Sequence, residues 1–154
     1  MPRLMFEDIR LLDGPFDPQE IIQATADSTM SKGGVANFTG YVSSSGDVEA
    51  LELSHYEPLT LPGMEDLARA ARDRFDITAI TIVHRLGRMV PGDPIVCVAA
   101  ASRHRRDAIN AVDFAMDHLK SAAWFWKREL RGGTWHWIEP RGADHSDLAR
   151  WKSE

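Results

Sequence analysis

Residues 77–84 read ITAITIVH and residues 95–101 read IVCVAAA, and these two short apolar runs decide the fold. Both are rich in β-branched residues and bounded by turn residues, which predicts buried strands. Pro91-Gly92-Asp93 lies between them and predicts a turn. Directly after the second run, Ser102 can cap a long helix. The predicted apolar stripe of that helix consists of Ile109, Val112, Met116 and Leu119.

The chain before these runs predicts a strand, a helix and two further strands. Residues 3–12 mix apolar and charged side chains, as in an edge strand. Asp17-Pro18-Gln19-Glu20 combines an N-cap, a proline at the first helical position and an acid three residues after the cap. It predicts a helix that ends at about residue 28. Strands are predicted at 35–42 and 49–56.

The remaining predicted elements are a second helix and a C-terminal hairpin. Pro58 and Pro62 predict a turn, and apolar residues at helical spacing predict a helix over 63–75. Strands at 124–130 and 134–139 flank a Gly-Gly turn. Four tryptophans are predicted to form aromatic cross-strand pairs in this hairpin: Trp124, Trp126, Trp135 and Trp137. Because strands and helices mix without a regular βαβ rhythm, the predicted fold class is α+β.

Length and composition predict one domain spanning residues 1–154, with a mass of 17.3 kDa. With 44% hydrophobic and 27% charged residues, the chain is neither a disordered tail, a collagen-like fibre nor a disulfide-stapled miniprotein. Cys97 is the single cysteine, so a reducing compartment is expected. Since the sequence has neither an apolar run of about 18 residues nor a leader pattern, we expect a cytoplasmic protein without membrane contact.

The charge of the chain is unevenly distributed. A net charge of −5 argues against general nucleic-acid binding, which requires excess lysine and arginine on phosphates. Residues 103–141 nevertheless hold a cluster of basic side chains: Arg103, Arg105, Arg106, Lys120, Lys127, Arg128, Arg131 and Arg141. This concentration fits one small anionic ligand, and a solvated basic face is the alternative.

Two features in this region are candidates for chemistry. Residues 102–106, Ser-Arg-His-Arg-Arg, follow a predicted buried strand and open a helix, where free backbone N–H groups and the helix dipole favour an anion. Lys120 and Lys127 flank an aromatic stretch, and a partly desolvated lysine can act as acid, base or nucleophile. The alternatives are basic side chains that point into water and lysine stems that lie along apolar surface.

The sequence lacks the motifs of metal sites and of nucleotide-binding sites. The six histidines show no HExxH pattern and a lone cysteine cannot build a thiolate site, so no metal is expected. Neither a P-loop nor a GxGxxG motif is present. The tryptophan-rich hairpin could stack nucleic-acid bases, as in a small single-strand binder, but core or dimer-interface packing is favoured.

Seven short motifs occur in an order and spacing that resemble a known family. They are Phe38-Thr39-Gly40, Leu51-Glu52-Leu53-Ser54-His55-Tyr56, His84-Arg85-Leu86-Gly87, Pro91-Gly92-Asp93, His104-Arg105, Met116-Asp117-His118-Leu119-Lys120 and Phe125-Trp126-Lys127-Arg128-Glu129. Together they resemble the large, catalytic subunit of molybdopterin synthase, the MoaE family. The resemblance covers about residues 5–141 and leaves 142–154 as a C-terminal tail.

The resemblance implies a sulfurtransferase of molybdenum-cofactor biosynthesis with an α/β-hammerhead-type fold of mixed and antiparallel sheets. Sulfur would pass from the C-terminal thiocarboxylate of a small ubiquitin-like subunit, which ends in Gly-Gly, onto cyclic pyranopterin monophosphate. Two successive transfers form the dithiolene of molybdopterin. The large subunit is expected to form a homodimer that carries a small subunit at each end, as a heterotetramer, without metal or organic cofactor.

The resemblance also implies the site residues. Lys120 and Lys127 match the family's essential lysines, and His104 and Arg105 are expected to bind the anionic end of the substrate. Arg141 is expected to reach a site in its own or the neighbouring subunit. The other substrate-binding residues expected from the motifs are Phe38, Tyr41, Ser43, Met116, Arg128 and Glu129.

The chain departs from the family pattern in three places. The family continues Phe-Thr-Gly with Val-Arg, whereas Ser43 stands here in place of that anion-binding arginine, and the loop after it is shorter. Arg103 or Arg106 could supply the missing charge. Trp124 replaces a common proline, and residues 57–62 are extra length. The alternative function is therefore a non-catalytic or weakly active paralogue that still binds the small subunit.

Overall fold

In the computed structural model, two four-stranded sheets and four helices make up the described part of the chain, residues 5–43, 46–121, 124–138, 142–149 and 151. In chain order the elements are β1 (Phe6–Leu12), α1 (Pro18–Asp27), β2 (Gly34–Tyr41), β3 (Val48–His55), α2 (Glu57–Arg74), β4 (Ala79–Arg85), β5 (Gly87–Met89), β6 (Pro94–Ser102), α3 (Arg105–Ser121), β7 (Phe125–Arg131), β8 (Thr134–Ile138) and α4 (Gly142–Ala149). The predicted α+β class is confirmed. Among the described helices, none is long and apolar enough to cross a membrane.

The first sheet has the strand order β1-β4-β6-β2, with β1 parallel to β4 and the other pairs antiparallel. Its central strands, β4 and β6, are the two apolar runs of the sequence, and both are buried as predicted. Ile80, Ile82 and Val98 pack against α2 and α3 on one face. Val83 and Cys97 pack against α1 on the other. Helices therefore cover this sheet on both faces.

The second sheet has the order β5-β3-β7-β8, and its hairpin β7–β8 forms as predicted. Gly132 and Gly133 make the turn with φ of 56° and 77°, a left-handed backbone that suits a tight hairpin and favours glycine. The edge strand β5 was not predicted, since its three residues are too few to show alternation. The small core of this sheet consists of Val42, Leu51, Leu53 and Met89, with Ile95 against them.

The predicted turn at Pro58 and Pro62 is wrong, because both prolines lie within α2. Pro58 sits in the first turn, where a backbone N–H has no intrahelical acceptor, so its ring costs the helix nothing. Pro62 removes one hydrogen bond to the carbonyl of Pro58, but both residues are exposed to solvent. The hydroxyl of Thr60 donates to the Tyr56 carbonyl at 2.8 Å and closes the first turn. The helix therefore begins six residues earlier than predicted.

The predicted tryptophan pairs of the hairpin are also wrong. The register places Trp137 opposite Arg128 and Trp135 opposite Leu130. The Arg128 guanidinium lies over both rings, 4.3 Å from the Trp135 centroid and 5.7 Å from that of Trp137. Cation–π contacts therefore take the place of aromatic pairs, because the two-residue turn sets a register that the tryptophan spacing does not match.

Helix α3 has the predicted cap and the predicted apolar stripe, with one exception. The Ser102 hydroxyl accepts the backbone N–H of His104 at 3.0 Å, directly before the helix begins. Val112, Met116 and Leu119 are buried as predicted. Ile109 is 48% exposed, so the predicted stripe is one residue too long.

Candidate active site

The direction of α3 determines which functional residues share one end of the molecule. The helix follows β6 and packs back along β6 and β2, so its C-terminus returns to the end of the first sheet where β6 begins. At that end Gly40, Val96 and His84 lie side by side on adjacent strands. We call this region, with Lys120 in the last turn of α3, the lysine end.

His84 is the last residue but one of the buried strand β4, and it is the most perturbed titratable group at the lysine end. The side chain is buried, and its Nδ1 lies 3.0 Å from the Arg85 carbonyl oxygen. The pKa of His84 is lowered from 6.5 to about 4, mainly by burial; the Arg85 carbonyl opposes this shift, and the positive charge of Lys120 adds a smaller lowering effect. The imidazole is therefore neutral at neutral pH, and Lys120 lies close enough to act on it.

Phe125 links the two sheets at this point. Its ring stacks on His84 with the centroids 4.1 Å apart and the planes 16° from parallel. Phe125 is the first residue of β7 and lies opposite His55 on β3. Because alternate residues of a strand share a face, Lys127 extends from the same face of β7 as Phe125. The structure thus places Lys127 next to the Phe125–His84 stack, and Lys120 lies in the last turn of α3 at the same end of the molecule.

The two lysines differ in their exposure to solvent. Lys120 is exposed, so the predicted partial desolvation of its side chain is wrong. It lies one position before the end of α3, where the helix no longer covers its head. Lys127 is half-buried opposite Leu53, in agreement with a lysine among apolar groups.

His104 and Arg105 lie at the opposite end of α3. Both are exposed at the start of the helix, where free N–H groups and the dipole favour an anion. Lys120 follows Arg105 by 15 residues, which at the α-helical rise corresponds to about 22 Å. Within one chain, the predicted anion-binding pair and the predicted catalytic lysine therefore do not form one pocket.

Neighbouring residues of β7 face opposite sides of the second sheet. Arg128 binds Glu52 through Nε at 2.8 Å and lies over the hairpin tryptophans, on the face away from Lys127. Glu129 is on the face of Lys127, with its carboxylate 3.7 Å from Arg131 Nε. The structure thus brings Glu129, and not the Arg128 side chain, to the face that carries the lysine.

The remaining predicted site residues lie on β2 and α3. Phe38 is 44% exposed and shares the face of Val98, on which α3 packs. Met116 is buried one turn before Lys120. Tyr41 ends β2 at a register shift, and Ser43 follows it; both are exposed. Arg141 lies outside the described residues, as do Ser44 and Ser45 of the short loop.

The comparisons with known proteins agree on one family. The model of the family described as MoaE protein matches residues 11–122. The chain belongs to the MoaE family. It is 40% identical over 147 residues to a protein of Caulobacter vibrioides named molybdopterin synthase catalytic subunit, with 95% of this chain and 98% of that protein covered.

Solved structures of the MoaE family share this fold. A MoaE protein from Burkholderia ambifaria aligns with a TM-score of 0.82 at 37% identity, covering 97% of this chain and all of that one. A molybdopterin synthase structure from Staphylococcus aureus aligns with a TM-score of 0.75 at 26% identity, covering 84% and 95%. The predicted hammerhead-type arrangement of two sheets with packed helices is thereby confirmed for this MoaE chain.

One departure of this MoaE chain from the family pattern has a structural counterpart. Trp124, in place of proline, packs against Gly63 of α2 so closely that a Cβ at position 63 would meet the indole at 2.4 Å. The Trp124 carbonyl accepts the Tyr56 N–H at 3.0 Å. Gly63 therefore makes room for the Trp124 side chain. The next residue, Phe125, begins β7 and stacks on His84 at the lysine end.

Two features of this MoaE chain are not part of the site predicted from the sequence. His84 lies in the apolar run 77–84 and in a family motif, and a histidine near the end of a largely apolar strand is a signal for a buried polar group. Trp151 donates from Nε1 to the buried Asp117 carboxylate at 2.6 Å, one turn before Lys120. No local pattern predicts that contact. Among the described residues no cluster of His, Cys, Asp or Glu is arranged to hold a metal ion.

Proposed function

We propose that this chain is the catalytic subunit of a molybdopterin synthase, an enzyme of molybdenum-cofactor biosynthesis. The observation that carries the proposal is the 40% identity to the Caulobacter vibrioides protein of that name, over nearly the full length of both chains. The reaction is a sulfur transfer from the C-terminal thiocarboxylate of a small ubiquitin-like subunit, ending in Gly-Gly, onto cyclic pyranopterin monophosphate. A cytoplasmic location is part of the proposal, supported by the single, buried and unpaired Cys97.

The arrangement at the lysine end suits this reaction. The thiocarboxylate sulfur bonds to a substrate carbon as an oxygen leaves that carbon, and hydrolysis of the resulting thioester by water returns the partner as a carboxylate and leaves the sulfur on the substrate. Negative charge and protons must therefore be handled at the reacting atoms. Lys120, exposed at the end of α3, is accessible to the inserted C-terminus of a partner. Lys127, on the neighbouring strand, is the second cation or proton donor. Two ammonium groups held in place can stabilise charge that develops in the transition state.

We further propose that each active site contains residues of two protomers. His104 and Arg105 lie about 22 Å from Lys120 along α3, too far to hold the same small substrate within one chain. In a two-fold homodimer, the start of one α3 can approach the end of the other. The substrate's phosphate then rests on one protomer's helix start while the lysines of the second protomer act on its pterin.

Exposed aromatic side chains support the homodimer. Tyr56, Trp126 and Trp137 are 50%, 48% and 66% exposed on one side of the second sheet, and aromatic groups of this kind are typical of interface anchors. The Tyr56 and Trp126 rings form an edge-to-face pair with centroids 6.4 Å apart. With the small subunit bound to each large subunit, the assembly is a heterotetramer.

Mixing two inactive variants tests the shared site. Lys120→Met and Arg105→Ala homodimers are each expected to have low kcat/KM. After subunit exchange at equal concentrations, half of the dimers combine the two variants, and each of these holds one intact site. We therefore expect about a quarter of the parent kcat/KM, given closed two-fold association.

A mixture that remains as inactive as its components would show that Lys120 and Arg105 act within one chain. Sedimentation of each variant, at about 35 kDa for a dimer of 17.3 kDa chains, is the control.

Arg105→Ala tests the anion site by itself. The guanidinium is exposed, so the change should leave folding intact. Loss of a charge-assisted hydrogen bond to phosphate is expected to weaken substrate binding by about 1.5 to 3 kcal/mol. Calorimetric titration of the dimer with the pterin substrate measures this directly, and Arg69→Ala on the exposed surface of α2 serves as the matched control. Unchanged binding would place the phosphate elsewhere.

Ser43, in place of the family's anion-binding arginine, favours a second candidate function. In this alternative the chain is a paralogue that binds the small subunit without efficient turnover. Within one chain, neither of the arginines that could replace the missing charge is at the lysine end, since Arg103 pairs with Asp76 at 3.6 Å and Arg106 is the second residue of α3. A reconstituted assay with thiocarboxylated small subunit and pterin substrate separates the two functions. Product formation favours the enzyme, and tight partner binding without product favours the paralogue. In the second case, Ser43→Arg is expected to raise turnover.

A further inference from the structure

Trp151, which follows α4, is fixed at the side of α3 by a hydrogen bond and by aromatic packing. Its Nε1 donates to Asp117 Oδ2 at 2.6 Å, a short distance typical of a hydrogen bond to a carboxylate. Its ring meets Phe75 and Phe114 edge to face, with the centroids 5.9 and 5.4 Å away. The Arg74 Cζ atom lies 5.3 Å from the centroid of the same ring. Contacts from the end of α2 and from α3 therefore hold the indole in one place.

Asp117 lies in the turn of α3 over which the Lys120 side chain extends. In an α-helix a side chain leans toward the N-terminus, over the residues three and four positions before it. For Lys120 these residues are Asp117 and Met116. Met116 is packed in the core, so Asp117 supplies the charged group of this turn. An aspartate three positions before a lysine is close enough to form an ion pair with it.

The Asp117 carboxylate is instead bonded to Trp151. Among the ion pairs of the described residues, none joins Asp117 to Lys120. Asp117 is only 9% exposed, whereas Lys120 is exposed. Turning the carboxylate toward the ammonium would break its bond to the indole, and a hydrogen bond to a charged group contributes more than an exposed ion pair between helical neighbours. The carboxylate therefore stays with Trp151.

We propose that Trp151 is a positioning residue that holds the Asp117 carboxylate away from Lys120 and so leaves the Lys120 ammonium to the reacting groups. Without this restraint, the carboxylate would draw the ammonium back along the helix and compete for it with the anionic substrate and the thiocarboxylate. The C-terminal segment, expected from the sequence to be a tail, thereby affects the lysine without contacting it. Its role in turnover rests on the proposed function.

Trp151→Phe tests the restraint without an activity assay. Phenylalanine keeps an aromatic ring in the same surroundings but has no hydrogen-bond donor. The released Asp117 is expected to pair with Lys120 and to raise the pKa of the lysine, which NMR titration of isotope-labelled lysine measures in the full-length protein. Trp135→Phe removes an indole N–H from β8 and is the matched control, which should leave the Lys120 titration unchanged. A Lys120 titration that is the same in Trp151→Phe and in the parent overturns the proposal.

Substitution of Asp117 separates this role from packing. In Trp151→Phe, kcat for sulfur transfer is expected to fall about two- to fivefold, the size of an exposed ion pair, with KM little changed. Asp117→Asn removes the charge while its amide oxygen still accepts the indole N–H, so this variant is expected to keep the parent kcat. The double variant, Trp151→Phe with Asp117→Asn, lacks the competing charge and is expected to recover the parent kcat. A double variant as slow as Trp151→Phe overturns the proposal, because the loss is then one of packing.

The titration keeps this proposal distinct from the proposed function. If the parent protein with its thiocarboxylated partner forms no product, the proposed function fails, while the Lys120 titration still decides whether Trp151 restrains Asp117. Thermal unfolding of the variants shows whether the buried contact tolerates them. If Trp151→Phe does not fold, Asp117→Asn decides: a lowered pKa of Lys120 in that variant would show that the carboxylate already acts on the lysine, which overturns the proposal, and an unchanged pKa supports it.

Discussion

Lys120→Met is expected to lower the rate of sulfur transfer by about 100-fold or more, the usual cost of removing a positioned proton-transfer group. Methionine keeps most of the aliphatic stem and removes only the ammonium. Because Lys120 is exposed, its replacement leaves the core of α3 untouched, and the free energy of unfolding should change by less than about 0.5 kcal/mol. Single-turnover assays with thiocarboxylated small subunit measure the rate.

The competing explanation for Lys120 is packing, in which the stem covers the apolar stripe that includes Met116 and Leu119. Under that explanation Lys120→Met keeps the parent rate, since the stem is retained. Lys32→Met is the matched control for loss of one surface charge. Binding of the small subunit, measured separately, is expected to persist in both variants. Near-parent turnover of Lys120→Met would show that the active site has been assigned to the wrong residue.

Acidification is expected to destabilise the protein through His84. In the folded chain the pKa of His84 is lowered from 6.5 to about 4, mainly by burial. Between these values the unfolded chain binds a proton that the folded chain does not, so stability falls as the pH falls. The effect is absent above pH 6.5 and complete below about 4. At about 1.4 kcal/mol for each pKa unit, the free energy of unfolding should drop by about 3 kcal/mol from pH 7 to 4.

Urea unfolding of the parent and of His84→Gln at several pH values measures this contribution. Glutamine does not titrate, so the difference between the two stability curves isolates His84 from the other histidines and the carboxylates. We expect the curves to converge as the pH falls from 6.5 to 4, since only the parent loses the contribution of His84. Parallel curves over this range would mean that His84 takes up its proton equally in both states.

Elements with strong local signals were predicted well. Asp17 accepts the N–H of Gln19 at 3.0 Å and begins α1, as the Asp-Pro pair indicated. The apolar runs became β4 and β6, and Gly132 with Gly133 made the hairpin turn. In each case a few neighbouring residues are enough to determine the element: a helix cap for α1, a run of apolar residues for the strands, and the backbone freedom of glycine for the turn. The turn predicted at Pro62 was wrong because the cost of a proline inside a helix depends on whether the freed carbonyl is exposed to water. The local sequence does not reveal that exposure.

The sequence by itself determined the family, the order of the elements and the two lysines as candidates, since motifs and their spacing are local properties. Only the tertiary structure decided how those residues are grouped. The length of α3 separates Arg105 from Lys120, and the alternation of β7 turns Arg128 away from Lys127. Above all, the packing of two sheets brings His84 onto Phe125, 41 positions later in the chain. Such contacts depend on how distant segments pack, and no local pattern encodes them.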